Sequence, residues 1–115
     1  MNSIEQKRKA IQAARLYLEM RGYRVLEQNF RRPGAQVPIV ADKDNCLFFV
    51  DVAYFASDEQ LAADSSHLSA DQVRQLKRGA VSWIEETKWQ DTYQFAMVEV
   101  AGSGFIIMGF IDKLF

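Results

Sequence analysis

The chain is poor in the side chains that cross-linked and reactive sites use most. Its 115 residues include one cysteine, Cys46, and one histidine, His67. A lone cysteine excludes an internal disulfide and any CxxC-type zinc site, and Cys46 reads as a small buried apolar residue. His67 stands beside Ser65 and Ser66 with no orienting partner in the sequence, which weighs against Ser–His catalysis. No apolar run approaches the roughly 20 residues that span a bilayer. The polar opening, Met1 to Ala10, does not read as a secretory signal. A reducing cytoplasm is the simplest compartment. Net charge is only -1, so indiscriminate attraction to nucleic acid is expected to be modest.

What is present describes one ordinary domain over residues 1–115. A content of 49% hydrophobic and 25% charged residues suits a soluble core of this size. The charge is unevenly placed. Residues 1–33 carry eight Lys or Arg against three Glu, whereas residues 34–71 carry Lys43 alone against seven acids. The basic stretch reads either as a solvated helix face or as a phosphate-facing patch.

The spacing predicts a helix over Ile4–Arg21, with Ser3 and Gln6 at capping-box spacing and Gly22 as its stop. Tyr23 to Phe30 leans toward strand, and Arg31-Arg32-Pro33-Gly34 reads as a turn. Gln36–Ala41 and Cys46–Phe55 are rich in β-branched and aromatic residues, and Asp42-Lys43-Asp44-Asn45 joins them as a hairpin. Those two aspartates lack the spacing and later Glu of an EF-hand, so they read as turn residues and not as Ca²⁺ ligands. Leu47–Val52 is nearly all apolar, as a mid-sheet strand should be. Asp51 interrupts it, on the same face as Phe49 and Ala53 by alternation. The acidic stretch Ser57–His67 reads as a loop. Ser69 and Gln72 repeat the capping-box spacing ahead of a second helix ending near Lys88. Tyr93–Ala101 and Phe105–Ile111 then read as strands around Gly102-Ser103-Gly104. The order is α-β-β-β-α-β-β, an α/β (α+β) domain with a mixed five-stranded sheet flanked by helices.

This layout resembles the YraN family, small bacterial proteins with a restriction-endonuclease-like, Holliday-junction-resolvase-like fold. The resemblance runs from about Ile11 to Phe115. It rests on Ala13 to Leu18, Arg21-Gly22-Tyr23-Arg24-Val25-Leu26-Glu27-Gln28-Asn29-Phe30, Phe49-Val50-Asp51-Val52, the helix Gln72 to Ile84, and Leu114-Phe115. In that family the hairpin reads G-E-I-D-L-(I/V)-A, then F-V-E-V-K, similar to the PD-(D/E)xK nuclease core. Its acids hold Mg²⁺, a hard cation wanting oxygen ligands, and its lysine orients water or offsets charge.

Those positions fall here on Gln36, Pro38, Asp51 and Ala53. Glutamine brings no charge, proline offers no ligand and argues for an edge or bulged strand, and alanine replaces the lysine. The departures extend further. The resemblance implies an acid on the first helix where Ala10 stands, a lysine at Gln72, an Asp at Ala96 and a His near Phe110. Asp51 is the only candidate metal ligand, so no metal or other cofactor is expected unless a carboxylate such as Glu5, Glu19 or Glu99 has moved in. Asp51 could equally be a buried acid satisfied by backbone donors or an arginine.

The expected protein is therefore a degraded nuclease-like domain that binds DNA or RNA without metal-dependent cleavage. Lys7, Arg8, Arg31, Arg32, Lys77 and Arg78 would meet phosphates, with no reading of bases. Two alternatives stand beside it. One is a protein-interaction or homodimeric scaffold, using the acidic 57–71 segment and the apolar strand Phe105–Ile111. The other is a residual endonuclease dependent on Mg²⁺ or Mn²⁺ with relocated ligands. No part is expected to sit in a membrane.

Overall fold

The computed structural model describes residues 2–56 and 68–115. Helix α1 spans Ser3–Met20, and its cap is Asn2, whose Oδ1 accepts the Glu5 N–H at 2.8 Å. The expected Ser3 cap is corrected by one position: Asn2 already holds extended backbone, and asparagine caps at least as well as serine. Gly22, at φ +90°, releases the chain from the helix as the sequence implies. Helix α2, Ala70–Thr87, carries the full expected capping box, with Ser69 and Gln72 each accepting the other's backbone N–H.

The described residues form five strands in the order β1-β2-β3-β4-β5. These are β1 Arg24–Arg32, β2 Ala35–Lys43, β3 Cys46–Phe55, β4 Tyr93–Ala101 and β5 Ile106–Ile111. Only β3 and β4 pair in parallel, across the connection that contains α2; the other neighbours are antiparallel. The fold is restriction-endonuclease-like.

Arg31 and Arg32, expected in a turn, instead pair with Gln36 and Ala35. Pro33-Gly34 alone is enough to reverse the chain. The β2–β3 loop is likewise tighter than Asp42–Asn45: Lys43 pairs with Cys46, and Asp44 and Asn45 both take positive φ, +53° and +63°. Asp42 is occupied by the Arg24 guanidinium, at 3.0 and 2.7 Å. Cys46 is half-buried, not enclosed in the core. The expected Ser57–His67 loop lies outside the described residues.

The sheet carries a separate apolar core on each face. Ala10, Ile11, Ala14 and Leu18 of α1 pack on Val50, Val52, Val98 and Val100. Leu76, Ala80 and Trp83 of α2 pack on Phe30, Val37 and Phe49. The alternation read along β3 therefore holds. In β2 it slips at Pro38: Val37 belongs to the α2 side and Ile39 to the α1 side. Strand β2 is interior, so Pro38 does not mark a sheet edge. It marks the irregularity that a residue without an N–H makes easiest.

Helix α2 approaches β2 closely at Gly79, where a Cβ would lie 2.6 Å from Val37 Cγ2 and 3.2 Å from the Gln36 carbonyl carbon. That approach sets the height of Gln36 and Pro38 beneath the helix. Gly79→Ala is expected to destabilise the fold by about 1–3 kcal/mol through overpacking, exceeding the ~1 kcal/mol that alanine contributes to helix propensity. Urea denaturation checks this; a more stable variant would contradict the close packing.

Candidate functional site

Strands β2 and β3 stay paired only as far as Ile39 opposite Val50. Continuing that register would set Pro38 opposite Asp51 and Val37 opposite Val52, and there the ladder stops. A proline cannot supply the ladder donor, and the two strands part. A depression opens between them, lined by Gln36, Pro38, Asp51, Lys7, Gln72 and Gln75. Three of the four positions singled out in the hairpin thus converge. The fourth, Ala53, lies beyond it on β3, in register with Glu99 of β4.

Parting the strands leaves the Val52 backbone without a β2 partner, and two side chains replace it. Asp51 Oδ1 accepts the Val52 N–H at 2.8 Å, and the Lys7 ammonium donates to the Val52 carbonyl. Asp51 is 9% exposed and is the one buried charged side chain among the described residues. Burial pushes its carboxyl above the ordinary carboxylate range, opposed by the nearby Lys7 charge and the Val52 N–H. Burial also pushes Lys7 below its ordinary value, opposed by Asp51. Of the two readings of Asp51, the geometry matches the buried acid satisfied by a backbone donor, and its charged neighbour is a lysine and not an arginine.

The amides around them are already committed. Gln72 Oε1 accepts the Ser69 N–H at 2.8 Å, and Gln75 Nε2 donates to Asp71 Oδ2 at 3.0 Å. Among the described residues no second carboxylate lines the depression. Glu5 pairs with Arg8 at 3.5 Å and Glu19 with Arg15 at 3.6 Å. Glu99 packs over Gly109 with its Oε2 buried and unbonded. A divalent metal wants several oxygen ligands and net negative charge; one carboxylate beside an ammonium does not fit it. Among the described residues no group of three or more His, Cys, Asp or Glu could hold a metal.

The six basic residues do not form one patch. Lys7, Arg8 and Arg31 line a depression of about 550 Å³ with Ser3, Ile4, Ile11 and Asn29. Lys77 and Arg78 line another, with Pro33, Ala35, Val81 and Ser82. Arg32 is engaged by Glu86, at 2.8 and 2.5 Å, and lies 4.2 Å over the Phe30 ring. Lys77 lies 4.7 Å over Phe115. Lys7 belongs to both the fork depression and the larger one, and so joins them. Neither that double membership nor Gln75 was singled out in the sequence; the spacing of Gln75 three residues after Gln72 is the signal that was there.

A profile described as uncharacterised protein family UPF0102 matches residues 11–100. The chain belongs to the UPF0102 family. This bacterial family is related to YraN and PD-(D/E)xK-like proteins, as the sequence resemblance implied. A UPF0102 protein of Trichlorobacter lovleyi is 37% identical over 93 residues, covering 77% of this chain and 71% of that one. Another from Geobacter metallireducens is 31% identical over 93 residues, covering 76% and 72%. One from Carboxydothermus hydrogenoformans is 30% identical over 86 residues, covering 75% and 72%.

The site generates a pH prediction. Because burial raises Asp51 in the folded state, its contribution to stability is fully present below the ordinary carboxylate value and is lost as pH rises through the higher folded value. Asp51→Asn keeps an oxygen for the Val52 N–H without the charge. Its stability relative to the parent should therefore rise as pH increases above the ordinary carboxylate range. Urea titrations at several pH values measure the difference; a pH-independent difference would refute the burial argument.

Proposed function

We propose that this chain is a nucleic-acid-binding module that keeps a nuclease-like frame without metal-dependent cleavage, working in the cytoplasm. The observation that carries this reading is the convergence of Lys7, Arg8 and Arg31 on one open depression beside the fork. Arg31 is free of any ion pair within the described residues, and Arg8 is held only by the loose contact to Glu5. Phosphate contacts of this kind position a strand and carry no base identity. Lys77 and Arg78 would extend the contact around the β1–β2 turn, while Arg32, bound to Glu86, contributes least.

Fluorescence anisotropy with single-stranded, duplex and branched DNA, and with RNA, tests the reading in EDTA at low salt. Binding should weaken linearly with log salt, by a slope of about 0.7–0.9 per phosphate neutralised. Arg8→Ala with Arg31→Ala should lower affinity about tenfold or more and flatten that slope by about two. Absence of binding to every probe at low ionic strength would refute it.

A second reading, self-association, is favoured by the free edge of β5. There Ile106 is 60% and Met108 43% exposed, on a strand with no outer neighbour among the described residues. The strand is one residue shorter than expected, since Phe105 takes φ +51° and stacks on Tyr54. If two copies join there, light scattering will report a dimer that Met108→Lys converts to monomer. A monomer at all concentrations would exclude it. Of the acidic 57–71 segment, residues 57–67 lie outside the described residues, and Asp71 is engaged by Arg74 and Gln75.

A further inference from the structure

Three features meet at the fork: a carboxylate, a main-chain carbonyl left without a β2 partner and a lysine from a distant part of the chain. Two of them are oxygen donors of the kind that hard divalent cations take, and the Gln36 amide lines the same space. Lys7 reaches them from α1, 45 residues away in sequence, and donates to the Val52 carbonyl within electrostatic reach of Asp51. Ala10, where the family resemblance implies an acid, is one turn further along the same helix and completely buried. The helix therefore presents a cation toward the site at the turn before the one where the resemblance puts a ligand.

We propose that the Lys7 ammonium is a tethered cation, occupying the position that the Asp51 carboxylate and the Val52 carbonyl would otherwise offer to a divalent metal ion. The lysine makes the site self-sufficient in positive charge. It compensates the buried carboxylate, satisfies the carbonyl exposed by the parting strands, and excludes a metal by like charge and by volume. The inference concerns metal exclusion and stands whether or not the chain binds nucleic acid.

Its test uses Mn²⁺ as the probe, with no nucleic acid present. Free Mn²⁺ is counted by electron paramagnetic resonance over the full chain, its Lys7→Ala variant and Lys7→Ala/Asp51→Asn. The single variant should bind Mn²⁺ about tenfold or more tighter than the parent, and the double variant should lose that gain. Removing the partner of a buried charge can also unfold the variant, so thermal melts are run alongside. Millimolar Mn²⁺ should raise the Tm of Lys7→Ala by about 3 °C or more and leave the parent unmoved. Lys7→Arg, which retains a cation, should behave as the parent. Equal Mn²⁺ affinity in parent and Lys7→Ala overturns the proposal. So does a Lys7→Ala variant that gains neither binding nor Tm, whether or not it is folded without the metal.

Discussion

The pairing of β2 with β3 ends at Ile39 and Val50, and most of the site's character follows from that one interruption. A proline at the next position cannot continue the ladder. The strands separate, the Val52 backbone loses its neighbour, and space opens beneath α2. The two charged groups at the fork then answer a single requirement, that buried backbone donors and acceptors find partners. Asp51 meets the donor and Lys7 meets the acceptor. The charges are thus held there by backbone geometry as much as by each other.

This explains why an acid persists in a strand that is otherwise apolar. The attraction between opposite charges repays their burial poorly even in a close ion pair, so the Coulomb attraction of the neighbouring Lys7 alone would not preserve Asp51. An apolar pair at these positions would leave the Val52 N–H and carbonyl unsatisfied, at about 1–3 kcal/mol each. Both groups are penalised by burial in their charged forms, yet each accounts for a backbone group that no other described side chain reaches.

The elements legible in the sequence were those whose signals are local. The Ser69–Gln72 capping box, the Phe49/Val50 alternation and the order of elements all depend on residues within a few positions of each other. The near misses were local too: Asn2 outcompeted Ser3 for the cap, and the tight Pro33-Gly34 turn freed Arg31 and Arg32 for the strand. Pro38 told half its story, an irregularity but not an edge, because a strand's place in the sheet is a tertiary fact. The role of Lys7 was not legible. One lysine in a run of Lys7, Arg8 and Lys9 has the same sequence signature whether it faces water or reaches across 45 residues to a carbonyl. The separation of the basic residues into two depressions was hidden for a similar reason. Arg31 and Arg32 are adjacent in sequence, but strand geometry sends them to opposite faces.

The same alternation limits what the surface can offer a phosphate. Arg32 turns toward α2, where Glu86 and Phe30 take it, whereas Arg31 turns toward Lys7 and Arg8. Basic character thus remains available on the α1 side of the fork, beside an internal cation and, among the described residues, without a second acid. In a metal-dependent site, negative ligands must first be neutralised by a metal before a phosphate can approach. Here the nearest ligand is already compensated by a lysine. A phosphate arriving at this face would meet positive charge that does not depend on metal supply, and it would lack the paired carboxylates that generate a metal-bound nucleophile. Gln36, Pro38 and Ala53 are therefore compatible with attraction for a phosphate backbone on this face.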